Sequence, residues 1–150
     1  MIRQRYAAQA LLWLTLAMPL FVSIAGLAID GGVLLASRRQ LQSVADGAAR
    51  AGATRLDLAR LRGSGGADIQ LDPALAREAA ATYLGERLDR ELAWQASPST
   101  YVEVSTRRVH VLIQGTLRTA FLRVVHIDSV AVEAGAYADL QYGIRDGTGG

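Results

Sequence analysis

The chain separates apolar and charged positions before it begins to alternate them. From Tyr6 to Ile29, 24 residues pass without a charge. Coiled as a helix at about 1.5 Å per residue, that run is roughly 36 Å long, enough to span a hydrocarbon core about 30 Å thick with some tilt. The run ends at Asp30, yet helical periodicity continues. Leu34, Leu41 and Ala48 recur at i+7, with Val44, Ala45, Ala51 and Leu58 in the intervening turns. Arg38, Arg39, Gln42, Asp46, Arg50 and Arg55 mostly take the other side. This pattern predicts an amphipathic helix that continues the apolar one through residues 30–62. Gly31-Gly32 is its expected weak joint, because each Gly costs about 1 kcal/mol relative to Ala inside a helix. Gly47 and Gly52 lie among Ala45, Ala48 and Ala49, a surface small enough for another element to approach closely.

"RGSGGADIQL" at residues 62–71 breaks the pattern and predicts a surface loop. Asp72-Pro73 then starts a second helix over 73–93, with Asp as cap and Pro at the first helical position. Its apolar face is Ala76, Ala79/Ala80, Tyr83/Leu84, Leu88 and Leu92, and "SPS" at 97–99 ends it. Period-2 alternation follows. Val102 and Val104, then Val109, Val111 and Ile113, then Val130, Val132, Ala134, Ala136 and Ala138 each mark one face of a strand. Thr106-Arg107-Arg108 separates the first two strands as a hairpin. Residues 116–128 join the second to the third, with one or two helical turns at Leu117, Phe121 and Val124/Val125.

Three strands with one apolar face cannot cover themselves, and a soluble domain of about 80 residues is marginal alone. The expected fold class is therefore α+β: a long N-terminal transmembrane and amphipathic helix, and a second helix, packed on a small antiparallel sheet. The expected divisions are 1–6 as a cytoplasmic N-terminus, 7–29 as a transmembrane helix, 30–62 as its amphipathic continuation, 63–142 as a small extracytoplasmic domain and 143–150 as a tail. Arg3, Arg5 and the terminal amine close to the run favour an N-terminus held on the cytoplasmic side. A secretory signal is the rival reading of the same start, with Ser23-Ile24-Ala25 or Gly26-Leu27-Ala28 as cleavage site. The apolar run exceeds a signal core of about 7–15 residues, which favours a retained single-pass anchor in the cell membrane.

Composition narrows the chemistry. The absence of cysteine excludes disulfides, thiolate nucleophiles and cysteine-based metal sites. A formal charge of +2, with Arg scattered along the chain, gives no case for nucleic acid. "GSGG" at 63–66 lacks the strand before it and the Lys-Ser/Thr after it that a phosphate loop requires. His110 and His126 have no His or carboxylate at metal-ligand spacing and read as structural. Neither a catalytic group, a metal nor a cofactor is expected. Asp30 is the notable carboxylate: at the end of a span it can meet a partner cation or a backbone N-terminus, or simply sit at the water interface.

Two stretches resemble a known family. Gln9-Ala10-Leu11, the mid-run Pro19, Gly26-Leu27-Ala28-Ile29-Asp30-Gly31-Gly32, Arg39-Gln40-Leu41-Gln42 and Val44-Ala45-Asp46-Gly47-Ala48-Ala49 follow in order the N-terminal segment of TadE/TadG-like proteins of tight-adherence (Flp-type) pilus systems. "AFLRVVHIDSVAVEAGAYADL" at 120–140 is similar to the end of those proteins, where an F-L-R segment leads into a small-residue strand. Arg5-Tyr6-Ala7-Ala8-Gln9 departs from the Gly and Glu found ahead of the span in relatives processed as pseudopilins. Asp128-Ser129-Val130 departs from the D-x-S-x-S metal site of larger relatives. The resemblance implies a minor, membrane-anchored accessory of pilus assembly. Its partners would be the membrane and other assembly proteins, and the N-terminal helix could serve a homo- or hetero-oligomer. The residues expected to anchor or pack against partners are Gln9, Pro19, Gly26, Asp30, Gly31, Gly32, Leu34, Leu41, Val44, Ala45, Ala48 and Gly52.

Overall fold

The structure, a computed structural model, describes residues 2–88 and 98–140, with side chains from residue 11 onward. The predicted ends of the second helix at Leu92 and Ala93, the tail at 143–150 and the side chain of Gln9 lie outside the described residues. Helix α1 spans Ile2–Ala53, 52 residues, roughly 78 Å at about 1.5 Å per residue. It is α-helical through Pro19 and through Gly31-Gly32, so the expected joint is not a break. Docking contacts on both sides of the pair, at Asp30 and at Leu34, hold the helix where two glycines would loosen it.

Helix α1 ends at Ala53, short of residue 62. The reason is local and long-range at once. Thr54 turns its hydroxyl back to the Ala51 carbonyl, and the Arg55 N–H bonds the Gly52 carbonyl. Leu56 then bridges antiparallel to Leu71, and Asp57 caps a new short helix, α2 (Leu58–Gly63), by accepting from the Arg60 N–H at 2.9 Å. The Gly-rich segment turns at Gly65 and Gly66, both at positive φ. It then buries Ile69 and Leu71, which a plain surface loop would leave in water. Helix α3 (Pro73–Leu88) begins as expected, with the Asp72 carboxylate accepting from Ala74 and Leu75 N–H at 2.9 and 3.1 Å.

The sheet is antiparallel in the order β1 (Ser99–Val104), β2 (Arg108–Arg118), β3 (Ser129–Asp139). Tyr101 faces Leu112 and Leu112 faces Gly135 in register. Strand β2 takes in Leu117, which the sequence pattern had placed in the connector. The face carrying Val109, Val111, Ile113, Leu117, Val132, Ala134 and Ala136 is buried under α1 and α3. Leu41, Val109, Val111 and Ile113 are fully buried, each contributing about 1.5–3 kcal/mol by removal from water. The fold is α+β, as the alternating and helical periods predict. Half of α1 stands outside it: Leu11, Leu12, Trp13, Leu14, Leu16, Leu20, Phe21, Val22 and Ile24 are exposed on a helix long and apolar enough to cross a membrane.

Candidate functional site

Gly26 and Asp30 lie four residues apart on α1 and therefore share a face, which continues through Leu34, Ser37, Leu41, Ala45, Ala48 and Gly52. Where α1 leaves its apolar half, this face receives the β2–β3 connector. The connector holds one 3-10 turn, Leu122–Val125, ended by His126 at φ 64°. Any helical turn begins with unpaired N–H groups. Phe121, at the N-cap, makes no side-chain hydrogen bond to them. The cap comes instead from Asp30, some 90 residues away in sequence. Its carboxylate accepts from the N–H of Ala120 at 3.0 Å, Phe121 at 2.9 Å and Leu122 at 2.6 Å. Only 4% of Asp30 is exposed. Burial opposes its ionisation, but the three N–H donors outweigh burial and hold the carboxyl below its ordinary range.

Phe121 completes the clamp. Its Cβ, Cγ and Cδ1 lie 2.7, 2.7 and 2.8 Å from where a side chain at residue 26 would place its first carbon. Only glycine admits that approach. The connector is closed on itself by the Thr119 hydroxyl, which donates to the Ile127 carbonyl, and by the Thr119 N–H, which donates to Asp128 at 3.1 Å.

The remaining expected positions fall into separate groups. Leu41, Ala45 and Ala48 are fully buried, while Leu34 and Val44 pack partly buried against the same core. Gly52 lies under the Ala76 carbonyl and the Val109 methyls, where an added β-carbon would meet them at 3.0 to 3.3 Å. These positions form the domain's interior. Gly31 and Gly32 face open space, with no neighbouring atom within 4 Å of an added β-carbon. Pro19 lies mid-helix with its carbonyl accepting from the Ser23 hydroxyl at 2.8 Å. Sequence reasoning missed Phe121 and Thr119 as partners of α1 and of the connector. The signal was present as two separated likenesses, G-L-A-x-D and F-L-R, which the fold brings into contact. Tyr83, expected on the apolar face of the second helix, sets its ring end in the space over Gly47.

The outer face of the sheet carries a second polar cluster. Arg108 holds Asp139 through two contacts, at 2.6 and 3.1 Å. The guanidinium lowers the Asp139 carboxyl from its usual value and is itself raised. His110 stacks on Tyr137 at 4.2 Å, and its Nδ1 stands 3.9 Å from Glu103, beyond hydrogen-bond reach. Among the described residues no three His, Asp or Glu converge on a point where a metal ion could sit.

A family model described as Flp pilus-assembly TadE/G-like matches residues 8–55. The match begins near the start of α1 and ends two residues past it. It includes Gly26, Asp30 and the whole buried stripe, but not the F-L-R connector. No curated protein and no solved structure matches the chain. Over residues 8–55, about a third of the chain, the sequence is similar to the TadE/G-like segment of Flp pilus-assembly proteins.

Proposed function

We propose that this protein is a membrane-anchored, pilin-like accessory of tight-adherence pilus assembly, working by contact and without catalysis. One observation carries the reading. The segment matched to the pilus-assembly family is a single helix whose first half exposes only apolar side chains over Leu11–Leu14 and Leu16, while its second half is the spine of a folded domain. A helix with Leu, Trp and Phe exposed all round needs an apolar surrounding. A bilayer supplies it for a lone chain, and packed helices supply it inside a filament. Residues 7–29 are the span, the N-terminus is cytoplasmic, and the α3–sheet domain stands outside the membrane on α1. Lateral partners meet the apolar half and the open glycine pair Gly31-Gly32.

The reading is tested by deleting the gene and restoring it. Deletion should abolish or sharply reduce piliation, and the tagged full chain should stay in the membrane after carbonate washing and co-purify with pilus-assembly proteins. Normal piliation after deletion, together with a chain released by carbonate, would refute it.

A further inference from the structure

The domain is laid along α1 in order. Gly52 meets Val109, Gln42 donates to the Gly135 carbonyl at 2.8 Å, Leu34 and Leu35 lie beside Val130 and Val132, Asp30 caps the connector, and Gly26 receives Phe121. The connector is therefore the end of the domain nearest the uncharged run. It is also apolar and open. Val124 is 81% exposed and Val125 62%, with Phe121 and Ile127 exposed beside them. Soluble connectors rarely present four large apolar side chains within seven residues to water.

The heights agree. Gly26 stands four residues, about 6 Å, before Asp30, where the uncharged run stops. The headgroup layer on one side of a bilayer is about 5–7 Å deep. A segment seated on Gly26 and Asp30 thus lies at the level of that layer. The local charges suit it. Arg118 precedes the apolar group and Arg123 lies within it, both exposed; Arg123 Nε stands 3.5 Å from Asp128, and His126 is exposed before Ile127. Long Arg side chains at this level can reach phosphates while their stems lie on the apolar layer. Of the two carboxylates here that would oppose insertion, Asp30 is enclosed by three N–H donors, and the exposed Asp128 stands beside the Arg123 guanidinium.

We infer that the Phe121–Ile127 connector is a second membrane contact, an apolar foot that rests in the lipid interface beside the anchor helix and fixes the domain's tilt. This rests on the reading of residues 7–29 as a membrane span. The occupant is lipid because the patch is continuous, through the Phe121–Gly26 contact, with the helix that the membrane would surround.

The chain has no cysteine, so single cysteines can be labelled cleanly. Val124→Cys, Leu20→Cys and Thr106→Cys full-length variants would each carry an environment-sensitive fluorophore. They would be reconstituted in vesicles of phosphatidylethanolamine and phosphatidylglycerol brominated near the headgroup or deep in the chain. Val124 is exposed, so its replacement leaves the fold intact. The inference predicts about twofold or stronger quenching at residue 124 by shallow bromines, quenching at residue 20 by deep ones, and none at residue 106 on the distal hairpin. Quenching at residue 20 but not at 124 overturns the foot and leaves the anchor standing. Quenching at neither overturns the anchor, and the foot with it. A label at 124 shielded from aqueous iodide but untouched by bromine, with shielding that grows with protein-to-lipid ratio, assigns the patch to a second copy and overturns the lipid contact.

Discussion

Replacing Gly26 by Ala tests the clamp at its tightest point. The new β-carbon would sit 2.7 Å from Phe121 Cβ and Cγ and 2.8 Å from Cδ1. Rotating the ring cannot relieve the contact with Cβ, which is fixed to the backbone, so the connector itself must move. Overpacking of this kind costs about 1–3 kcal/mol. Gly→Ala in a helix also gains about 1 kcal/mol. That gain cancels in local undocking, because α1 is helical whether or not the connector rests on it. The undocking equilibrium therefore shifts by the full overpacking cost, about 5- to 150-fold at 1.4 kcal/mol per tenfold. The assay is amide hydrogen exchange on the full chain in lipid nanodiscs, read at Ala120, Phe121 and Leu122, whose N–H groups Asp30 holds. These three amides should exchange faster in Gly26→Ala, while those around the Gly52 contact stay unchanged. Adding Phe121→Gly, which removes the obstructing carbons, should restore slow exchange. Unchanged exchange in the single variant would show that Phe121 does not rest on Gly26.

Other expectations follow from the same geometry. Asp30→Asn offers one carbonyl oxygen where the carboxylate offered two, so the connector amides should lose protection. In the wild type, the lowered Asp30 carboxyl means that docking is complete above about pH 4 and fades only as the pH falls through the lowered value. The asparagine variant should lose that acid dependence in the same exchange measurement. Leu41→Ala empties a fully buried position and should destabilise the domain by about 2–5 kcal/mol in denaturant unfolding. Gly31→Ala and Gly32→Ala meet nothing and should each stabilise the helix by up to about 1 kcal/mol. If the open pair is a partner surface, these stabilised variants should nonetheless lower piliation, and unchanged piliation would remove the pair from the partner surface.

The sequence made the repeating parts legible. Leu34, Leu41, Ala45 and Ala48 recur at helical spacing because one face of α1 must stay dry, and Val109, Val111 and Ile113 alternate because one face of β2 must. What escaped depended on partners far along the chain. The stop at Ala53 needs Leu71 to bridge Leu56, and Ile69 is buried although it follows a run of glycines. Asp30 was visible as a charge at the end of an apolar run, with a backbone N-terminus among its possible partners. Only the fold reveals that this terminus is the connector, that Phe121 needs Gly26 bare, and that the carboxylate is buried and not left at the water interface. Period carries information about faces; it carries none about which loop returns to them.

Helix α1 is the domain's spine in its second half and, in the proposed function, the membrane anchor in its first. Cysteine scanning along α1 separates the two halves, using a membrane-impermeant maleimide on right-side-out membrane vesicles. Arg39→Cys and Arg50→Cys, exposed on the spine, should label rapidly, and Leu14→Cys and Leu20→Cys should not label. Labelling of Leu14→Cys and Leu20→Cys as fast as that of Arg50→Cys would show that the first half of α1 stands in water and not in a bilayer.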